Sequence, residues 1–390
     1  MNNLCTEIGF NSINKHGEQL CGDHVEIVEN NDNSMVLVLA DGLGSGVKAC
    51  ILSTLTSKII STMMANSMSI NECVATIAAT LPVCEKRGIA YSTFTIISIK
   101  DNNYAEIIQY DNPHVILLRN GEKYDYPITC SEIQGKNIYI SKLDLQVNDV
   151  FVAMSDGAIY AGVGNTLNFG WQRDSIIDFL VGNYEDNFSA KTISAMLVEQ
   201  CSNLYGGTPG DDTTVAVLKI RCRMPMNLMI GPPSNPNDLN KMMSLFFAKE
   251  GKHIVCGGTT STLAAEFLGK KVIPLLDYID PEIPPIAKIE GVDLVTEGII
   301  TMTRVLKYAQ DYIENNDCYS SWRNKNDGAC RIARLLFEEA TDISFYVGRT
   351  INPAHQNPNL PINFSIKMRL IDELSVCLKK MGKKISVCYF

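Results

Sequence analysis

The chain has 390 residues, a length that allows two or three domains, each with its own hydrophobic core. Hydrophobic residues make up 46% and charged residues 20% of the sequence, which is typical of folded globular proteins and excludes disordered and collagen-like chains. The formal net charge of -9 argues against a nucleic-acid partner, because neutralising phosphates requires a clustered basic face.

The sequence begins without the basic start and long apolar core of a signal peptide, and it contains no run of about 20 apolar residues that could form a membrane helix. We therefore expect a cytoplasmic protein with no membrane partner. The 13 cysteines include no Cys-x-x-Cys pair, so we expect reduced thiols that pack as small core residues.

The first part of the chain alternates predicted strands with two helices. Strands are expected at 4–12 and 25–28, and a third, buried strand over Met35 to Ala40 ends at Asp41-Gly42. Apolar residues then recur every fourth position, which predicts a helix with this stripe facing the core. The stripe consists of Val47, Ile51, Leu55, Ile59 and Met63.

A run of short β-rich segments separated by turns follows from Ala90 to Val152, and this pattern is typical of an antiparallel meander. Helices are expected at 173–181 and 189–204, and a strand at 213–220 closes this half. This order of elements predicts an α+β fold of the α-β-β-α sandwich type, with two antiparallel sheets and a pair of helices outside each.

The domain boundary is predicted where prolines accumulate. We expect one domain over residues 1–222, a proline-rich linker at 223–237 and a smaller domain over 238–390. In the last of these, predicted helices and strands alternate, which favours an α/β domain with a largely parallel sheet.

Acidic residues stand where several predicted strands of the first domain begin or end. Four or five carboxylates brought together could not all ionise without compensation, because like charges raise one another's pKa. Divalent cations resolve that conflict, and a site built from oxygen ligands favours Mg²⁺ or Mn²⁺. The residues concerned are Asp23, Asp41, Asp156, Asp211 and Asp212.

These residues occur in motifs whose order and spacing resemble the metal-dependent PP2C-type serine/threonine phosphatases, and most closely their bacterial SpoIIE/RsbU/RsbX branch. The resemblance covers about residues 1–222. It rests on Gly22-Asp23, Ala40-Asp41-Gly42 with Gly44-x-Gly46, Asp111-Asn112-Pro113-His114 with Arg119-Asn120-Gly121, Ser155-Asp156-Gly157 and Gly210-Asp211-Asp212-x-Thr214.

The resemblance implies a protein phosphatase that uses two Mn²⁺ or Mg²⁺ ions and a metal-activated water to hydrolyse phosphoserine or phosphothreonine in a regulatory protein. It implies that Asp41 bridges the ions, that the Gly42 carbonyl ligates one, and that Asp156 and Asp211 bind the second. Asp23 would hold the first ion directly or through water. Asp212 would support the site rather than enter it.

Two positions depart from the eukaryotic members of the family. Leu43 follows the bridging Asp-Gly where they have a histidine, and Gln19 lies near the place of their phosphate-binding arginine. His24, beside Asp23, is a candidate general acid, although a single histidine is more often structural.

The second domain resembles no family that its residues identify. Its best local feature is the loop Gly257-Gly258-Thr259, a candidate site for a small anion at the start of a helix. The alternative is a turn in which Thr259 or Thr260 caps that helix.

Two functional alternatives to the phosphatase stay open on the sequence alone. One is a catalytically silent PP2C-like binding module. The other is an enzyme centred on the C-terminal domain that acts on a small phosphorylated or nucleotide-like compound. The partners expected for the phosphatase are a phosphorylated regulatory protein and, for the chain itself, a second copy in a homodimer.

Overall fold

The computed structural model describes residues 3–29, 34–80, 92–275, 280–314, 322–323, 325–350 and 366–390. The chain divides into two compact units, Met1–Cys222 and Arg223–Phe390. Within the described ranges, no helix is long and apolar enough to cross a membrane.

The N-terminal unit contains eleven strands and five helices among its described residues. The strands are β1 (Leu4–Ile13), β2 (Asp23–Glu29), β3 (Met35–Gly42), β4 (Ser92–Lys100), β5 (Tyr104–Tyr110), β6 (Ile116–Arg119), β7 (Glu122–Lys123), β8 (Thr129–Ile133), β9 (Lys136–Asp144), β10 (Asp149–Met154) and β11 (Thr213–Cys222). The helices are α1 (Gly46–Ala65), α2 (Ile70–Thr80), α3 (Asp156–Ile159), α4 (Arg173–Asn183) and α5 (Ala190–Leu204).

The strands form two antiparallel sheets, ordered β1-β11-β10-β6-β7 and β2-β3-β4-β5-β9-β8. Apolar residues from both sheets, such as Leu39 and Phe151, share a core between them. The other face of the second sheet packs against α1 and α2, and the other face of the first packs against α4 and α5. The predicted α-β-β-α sandwich is confirmed.

Helix α1 is rotated relative to the prediction. Val47 is 63% exposed, Ile51 53% and Leu55 44%, so the predicted inward stripe is wrong for the first half of the helix. Small and hydroxyl-bearing residues such as Ala49, Ser53 and Ser57 are buried instead. Gly42 explains this choice, because a Cβ at Gly42 would lie 2.1 Å from the carbonyl oxygen of Ala49. So close an approach of helix and strand leaves room only for small side chains.

The C-terminal unit is built on a seven-stranded sheet. Its strands are β12 (Pro225–Ile230), β13 (Lys252–Cys256), β14 (Ile273–Pro274), β15 (Ala287–Ile289), β16 (Val292–Thr296), β17 (Asp342–Val347) and β18 (Lys384–Tyr389). Its helices are α6 (Leu239–Phe247), α7 (Gly258–Leu268), α8 (Ile299–Glu314), α9 (Gly328–Ala333), which continues as a π-helical turn (Arg334–Glu339), and α10 (Ile366–Lys380).

The sheet order is β14-β15-β16-β13-β12-β17-β18, and the five strands from β16 to β18 are parallel. Counted in chain order, these five strands stand as 3-2-1-4-5, the order of a doubly wound α/β fold. Helices α6 and α7 cover one face, and α8, α9 and α10 cover the other. The predicted α/β fold with a largely parallel sheet is confirmed, with β14 and β15 as an antiparallel edge.

The proline-rich linker predicted at 223–237 is wrong for its first half. Pro225–Ile230 is β12, the central strand of the parallel sheet, and its last five residues are buried. Pro225 is compatible with this position because it is the first residue of the strand, where the missing amide proton removes little of the ladder. The C-terminal unit therefore starts at Arg223 rather than at residue 238.

Candidate metal centre

Strand pairing brings the acidic residues together in two groups. Asp23 opens β2 and lies directly opposite Asp41 near the end of β3. Asp156 follows β10, and Asp211 and Asp212 precede β11, which pairs antiparallel with β10. Because antiparallel neighbours place the end of one strand beside the start of the next, each sheet presents its acids at one edge.

Ser155 joins the two groups across the sandwich. Its Oγ donates a hydrogen bond to Asp23 Oδ2 at 2.8 Å and accepts one from the backbone amide of Thr214 at 2.9 Å. The Ser155 amide in turn donates to the Thr214 carbonyl oxygen at 3.0 Å. In the sequence Ser155 is recognisable only as part of the Ser-Asp-Gly motif, and its role as the link between the sheets depends on the tertiary structure.

The assembled carboxyls have raised pKa values. Burial is the largest cause of the raised pKa of Asp41, and the nearby charges of Asp23, Asp156 and Asp211 raise it further. Burial is also the main cause of the raised pKa values of Asp23, Asp156 and Asp211. Burial and the neighbouring carboxyls therefore both disfavour the ionised forms of these acids.

Two carboxylate oxygens of these acids, Asp23 Oδ1 and Asp212 Oδ2, are buried without a hydrogen-bond partner. Asp23 is 6% exposed, and its Oδ1 is buried without a hydrogen bond. A buried acceptor without a donor is costly, and a hard cation supplies the missing interaction. This orphaned oxygen and the repelling carboxyls fit divalent metal ions. Within the described ranges, however, no three or more His, Cys, Asp or Glu side chains have the arrangement needed to coordinate a metal ion directly.

Glycines allow the chain to pass close to these acids. A Cβ on Gly157 would lie 2.2 Å from the Asp212 carbonyl oxygen, and one on Gly22 would lie 2.8 Å from Asp212 Oδ2. Gly42, the predicted carbonyl ligand, is buried beside Asp41, and its amide donates to the Gly22 carbonyl oxygen at 3.2 Å. The Asp-Gly pairs in the sequence therefore mark places where backbone meets backbone at the centre.

The loop before β2 supplies a cation at the edge of the centre. Lys15 Nζ lies 3.9 Å from Asp211 Oδ1, and the Lys15 amide donates to Asp212 Oδ1 at 3.0 Å. Asp212 is buried and holds this loop, while Asp211 is partly exposed. Lys15 was not predicted as a site residue, since a single lysine in a turn carries no recognisable signal.

The motif residues Asn112 and Arg119 brace the sandwich rather than the acids. Asn112 bonds to the hydroxyls of Thr93 and Thr95 on β4, and Thr93 is the residue opposite Asp41. Arg119 forms a bidentate pair with the buried Asp149 at 2.7 and 2.8 Å.

His24 is placed away from the acids. It is the residue after Asp23 on β2, and successive residues of a strand point to opposite faces. Its Nδ1 lies 2.8 Å from Ser57 Oγ of α1, and burial lowers the pKa of its imidazole. His24 therefore packs against α1, which is the structural role that the sequence offered as the alternative to a general acid.

The family model described as stage II sporulation protein E (SpoIIE) matches residues 31–221. This match confirms the resemblance of the N-terminal unit to the SpoIIE-like branch of the PP2C phosphatases that the motifs indicated. No curated protein matches the chain significantly.

Solved structures of the same class resemble the chain at low identity. The phosphatase domain of SpoIIE from Bacillus subtilis is 18% identical over 58% of this chain and 96% of its own, with a TM-score of 0.45. A longer SpoIIE fragment from Bacillus subtilis is 19% identical over 57% of this chain and 65% of its own, with a TM-score of 0.49. The catalytic domain of PstP, solved with two manganese ions, is 16% identical over 56% of this chain and 99% of its own, with a TM-score of 0.39.

Proposed function

We propose that the N-terminal unit is a divalent-metal-dependent protein phosphatase that hydrolyses phosphoserine or phosphothreonine in a regulatory protein. The observation that carries this proposal is the convergence of Asp23, Asp41, Asp156 and Asp211 at one end of the sandwich, where burial and neighbouring charges raise the pKa values of these carboxyls. A protein keeps such a repelling group at a cost in stability, and a reaction that needs cations gives a reason to keep it.

The carboxylates of Asp23, Asp41, Asp156 and Asp211 and the carbonyl oxygen of Gly42 would hold two Mn²⁺ or Mg²⁺ ions. When bound, the ions would supply an acidified water and neutralise charge on the phosphate. Each of these acids must then be ionised, so metal binding would release protons and become tighter as pH rises.

The chain's own residues orient the acids. Ser155 fixes one oxygen of Asp23, which leaves the orphaned Oδ1 for a metal or a water. Ser92 Oγ donates to the Asp41 carbonyl oxygen at 2.9 Å and so fixes the backbone that carries the bridging acid. Such supporting contacts set ligand direction and basicity.

Lys15 would meet the substrate phosphate at the rim. Its ammonium lies 3.9 Å from Asp211 Oδ1 and is partly exposed. A lysine at this place would donate a charge-assisted hydrogen bond to a phosphate oxygen. This gives the chain a positive group in a centre whose Gln19 stands near the family's arginine position.

Phosphatase activity is tested on the full chain with a phosphothreonine peptide and Mn²⁺ or Mg²⁺, comparing wild type with Asp41→Ala. We expect metal-dependent release of phosphate by the wild type and its loss in the variant. A wild type that is inactive with every metal tried, while still folded, would leave the silent binding module as the function of this unit.

The substrate would be found through a variant that binds but does not turn over. In cells that carry Asp156→Asn, the phosphorylated regulatory protein should accumulate, and phosphoproteomics would identify it. An unchanged phosphoproteome would argue against a cellular phosphatase role.

The expected homodimer is a separate question. Light scattering on the purified full chain would test it.

A further inference from the structure

The parallel sheet of the C-terminal unit changes winding direction between β12 and β17. β12 is followed by α6 on one face of the sheet, whereas β17 is followed by α10 on the other. In doubly wound folds, ligands bind beyond the carboxyl ends of the strands at this switch point, because the connections leave in opposite directions. The residues at these carboxyl ends are Gly231 and Gly348.

A buried lysine lies at this point without an acidic partner. Lys367, in the first turn of α10, is 7% exposed, and its Nζ donates one hydrogen bond, to the Thr350 carbonyl oxygen at 3.2 Å. Burial is the sole cause of the shift that lowers its pKa to about 8, so no acidic group in the described ranges offsets its charge. Buried ammonium groups are ordinarily paired with an acid, whereas the described residues offer this one only a backbone carbonyl oxygen.

The lysine is directed at the end of β12. A Cβ on Gly231 would lie 2.2 Å from Lys367 Nζ, so the ammonium rests against the bare backbone of that glycine. Any other residue at 231 would displace the lysine. Gly231 also has φ +79°, a conformation that favours glycine.

The first turn of α7 reaches the same glycine. The Gly231 amide donates to Thr260 Oγ1 at 3.0 Å. The Thr260 hydroxyl therefore accepts a hydrogen bond from the residue that follows β12, and it does not cap its own helix. The N-cap residue of α7 is Gly257, with φ +109° and no side-chain cap, so the capping turn considered from the sequence is wrong.

The start of α7 is consequently open to a ligand. Gly258 and Thr259 are exposed, and a Cβ built on Gly258 meets no atom within 4 Å. The first amides of a helix have no intrahelical acceptors and carry the positive end of the helix dipole. Gly231 is therefore contacted from two helices, by the Thr260 hydroxyl in the first turn of α7 and by the Lys367 ammonium of α10.

We propose that the C-terminal unit binds the phosphate group of a small phosphorylated compound at this place, between the first turn of α7 and the Nζ of Lys367. A phosphate matches both elements, because it accepts hydrogen bonds from helix amides and from a lysine at the same time. The site belongs to a different unit from the acidic centre, so it stands or falls independently of the phosphatase activity.

Calorimetric titration of the full chain tests this site. The probes are inorganic phosphate, pyrophosphate and ADP, with EDTA present and in the Asp41→Asn background, so that the acidic centre holds no metal to attract them. We expect saturable binding of at least one probe. Tighter binding of ADP than of pyrophosphate would assign the site to nucleotides, and equal binding would assign it to the phosphate group alone. Absence of saturable binding for all three overturns the proposal.

Two variants with opposite structural consequences locate the binding. Lys367→Met keeps the length of the side chain and should weaken binding about tenfold or more, since it removes a charge-assisted hydrogen bond. Gly258→Asp places a carboxylate at the start of α7, where it stabilises the helix but repels an anion. We expect it to abolish binding while the melting temperature stays equal or rises.

The matched control is Lys241→Met, which removes an exposed lysine of α6. It should bind the probes as wild type does. Binding that is unchanged by both Lys367→Met and Gly258→Asp, or that Lys241→Met weakens equally, would overturn the assignment to this site.

Discussion

The two units of this chain carry opposite charge imbalances. The N-terminal centre gathers four carboxyls, and Lys15 at 3.9 Å from Asp211 is the one cation that the described residues bring to it. The switch point of the C-terminal unit holds the buried ammonium of Lys367 and no described acid beside it. Proteins avoid buried, uncompensated charge, so each imbalance indicates a ligand of the opposite sign.

The two sites respond to pH in opposite directions. The raised pKa values of the carboxyls mean that the folded N-terminal centre keeps protons at pH values where the unfolded chain has lost them. The lowered pKa of Lys367 means that the folded C-terminal unit loses a proton at a lower pH than the unfolded chain does. Stability falls with pH in the first case and rises with pH in the second. The predictions below separate these two behaviours, starting with the largest expected effect.

Asp41→Asn should break the acidic centre most completely. We expect phosphate release to fall by roughly 100-fold or more, the loss that follows removal of one strong electrostatic contact. The metal-free protein should be as stable as wild type or more stable, because the change removes repulsion. Mn²⁺ should raise the melting temperature of wild type but not of the variant. Asp125→Asn, at a side chain that is 83% exposed, is the matched control and should behave as wild type.

Ser155→Ala should weaken the same centre by less. Removing the hydroxyl that holds Asp23 Oδ2 frees the carboxylate to turn, and supporting residues of metal ligands contribute roughly 10- to 100-fold to metal affinity. Mn²⁺ titration followed by calorimetry measures this loss. Ser189→Ala provides the comparison, because Ser189 caps α5 and its removal should lower stability by about 1 kcal/mol without changing metal affinity. Equal Mn²⁺ affinity in wild type and Ser155→Ala would contradict the role of Ser155.

The metal-free N-terminal unit should lose stability as pH rises above about 4 towards neutrality. Its buried acids keep protons that the unfolded chain has already released, so unfolding is favoured at higher pH. Urea unfolding in EDTA at about pH 5 and about pH 8 measures the slope. Saturating Mn²⁺ should remove it, and a metal-free protein that grows more stable over this range would contradict the electrostatic account.

Lys367→Met should have a smaller effect on stability, and the size of that effect should change with pH only in alkaline solution. The pKa of this lysine falls from 10.5 to about 8 on folding, so between these values the unfolded chain binds more protons than the folded one. Wild-type stability should therefore rise across that window relative to the variant. Below it the variant should be the more stable protein, because it buries no charge. Parallel stability curves for the two proteins would show that Lys367 is hydrated.

Local sequence patterns determined much of the N-terminal unit. The meander and the Asp-Gly strand ends follow from residue order, because alternation and turn chemistry act over a few residues. They did not predict which acids share a sheet, because the register that places Asp23 opposite Asp41 comes from the pairing of β2 with β3. The same reasoning failed at Pro225–Ile230, where the prolines around the strand outweighed its apolar residues.

Only the tertiary structure decided how these pieces meet. The sequence could not place Ser155 between two sheets, because that contact joins residues 132 positions apart. Nor could it show that α1 buries Ala49 and Ser57 instead of its apolar stripe, since the close approach at Gly42 sets that choice. Lys367 gave no signal in the sequence, because a lysine in a helical pattern is expected at the surface. Its burial against Gly231 arises where two distant helices converge on one strand end.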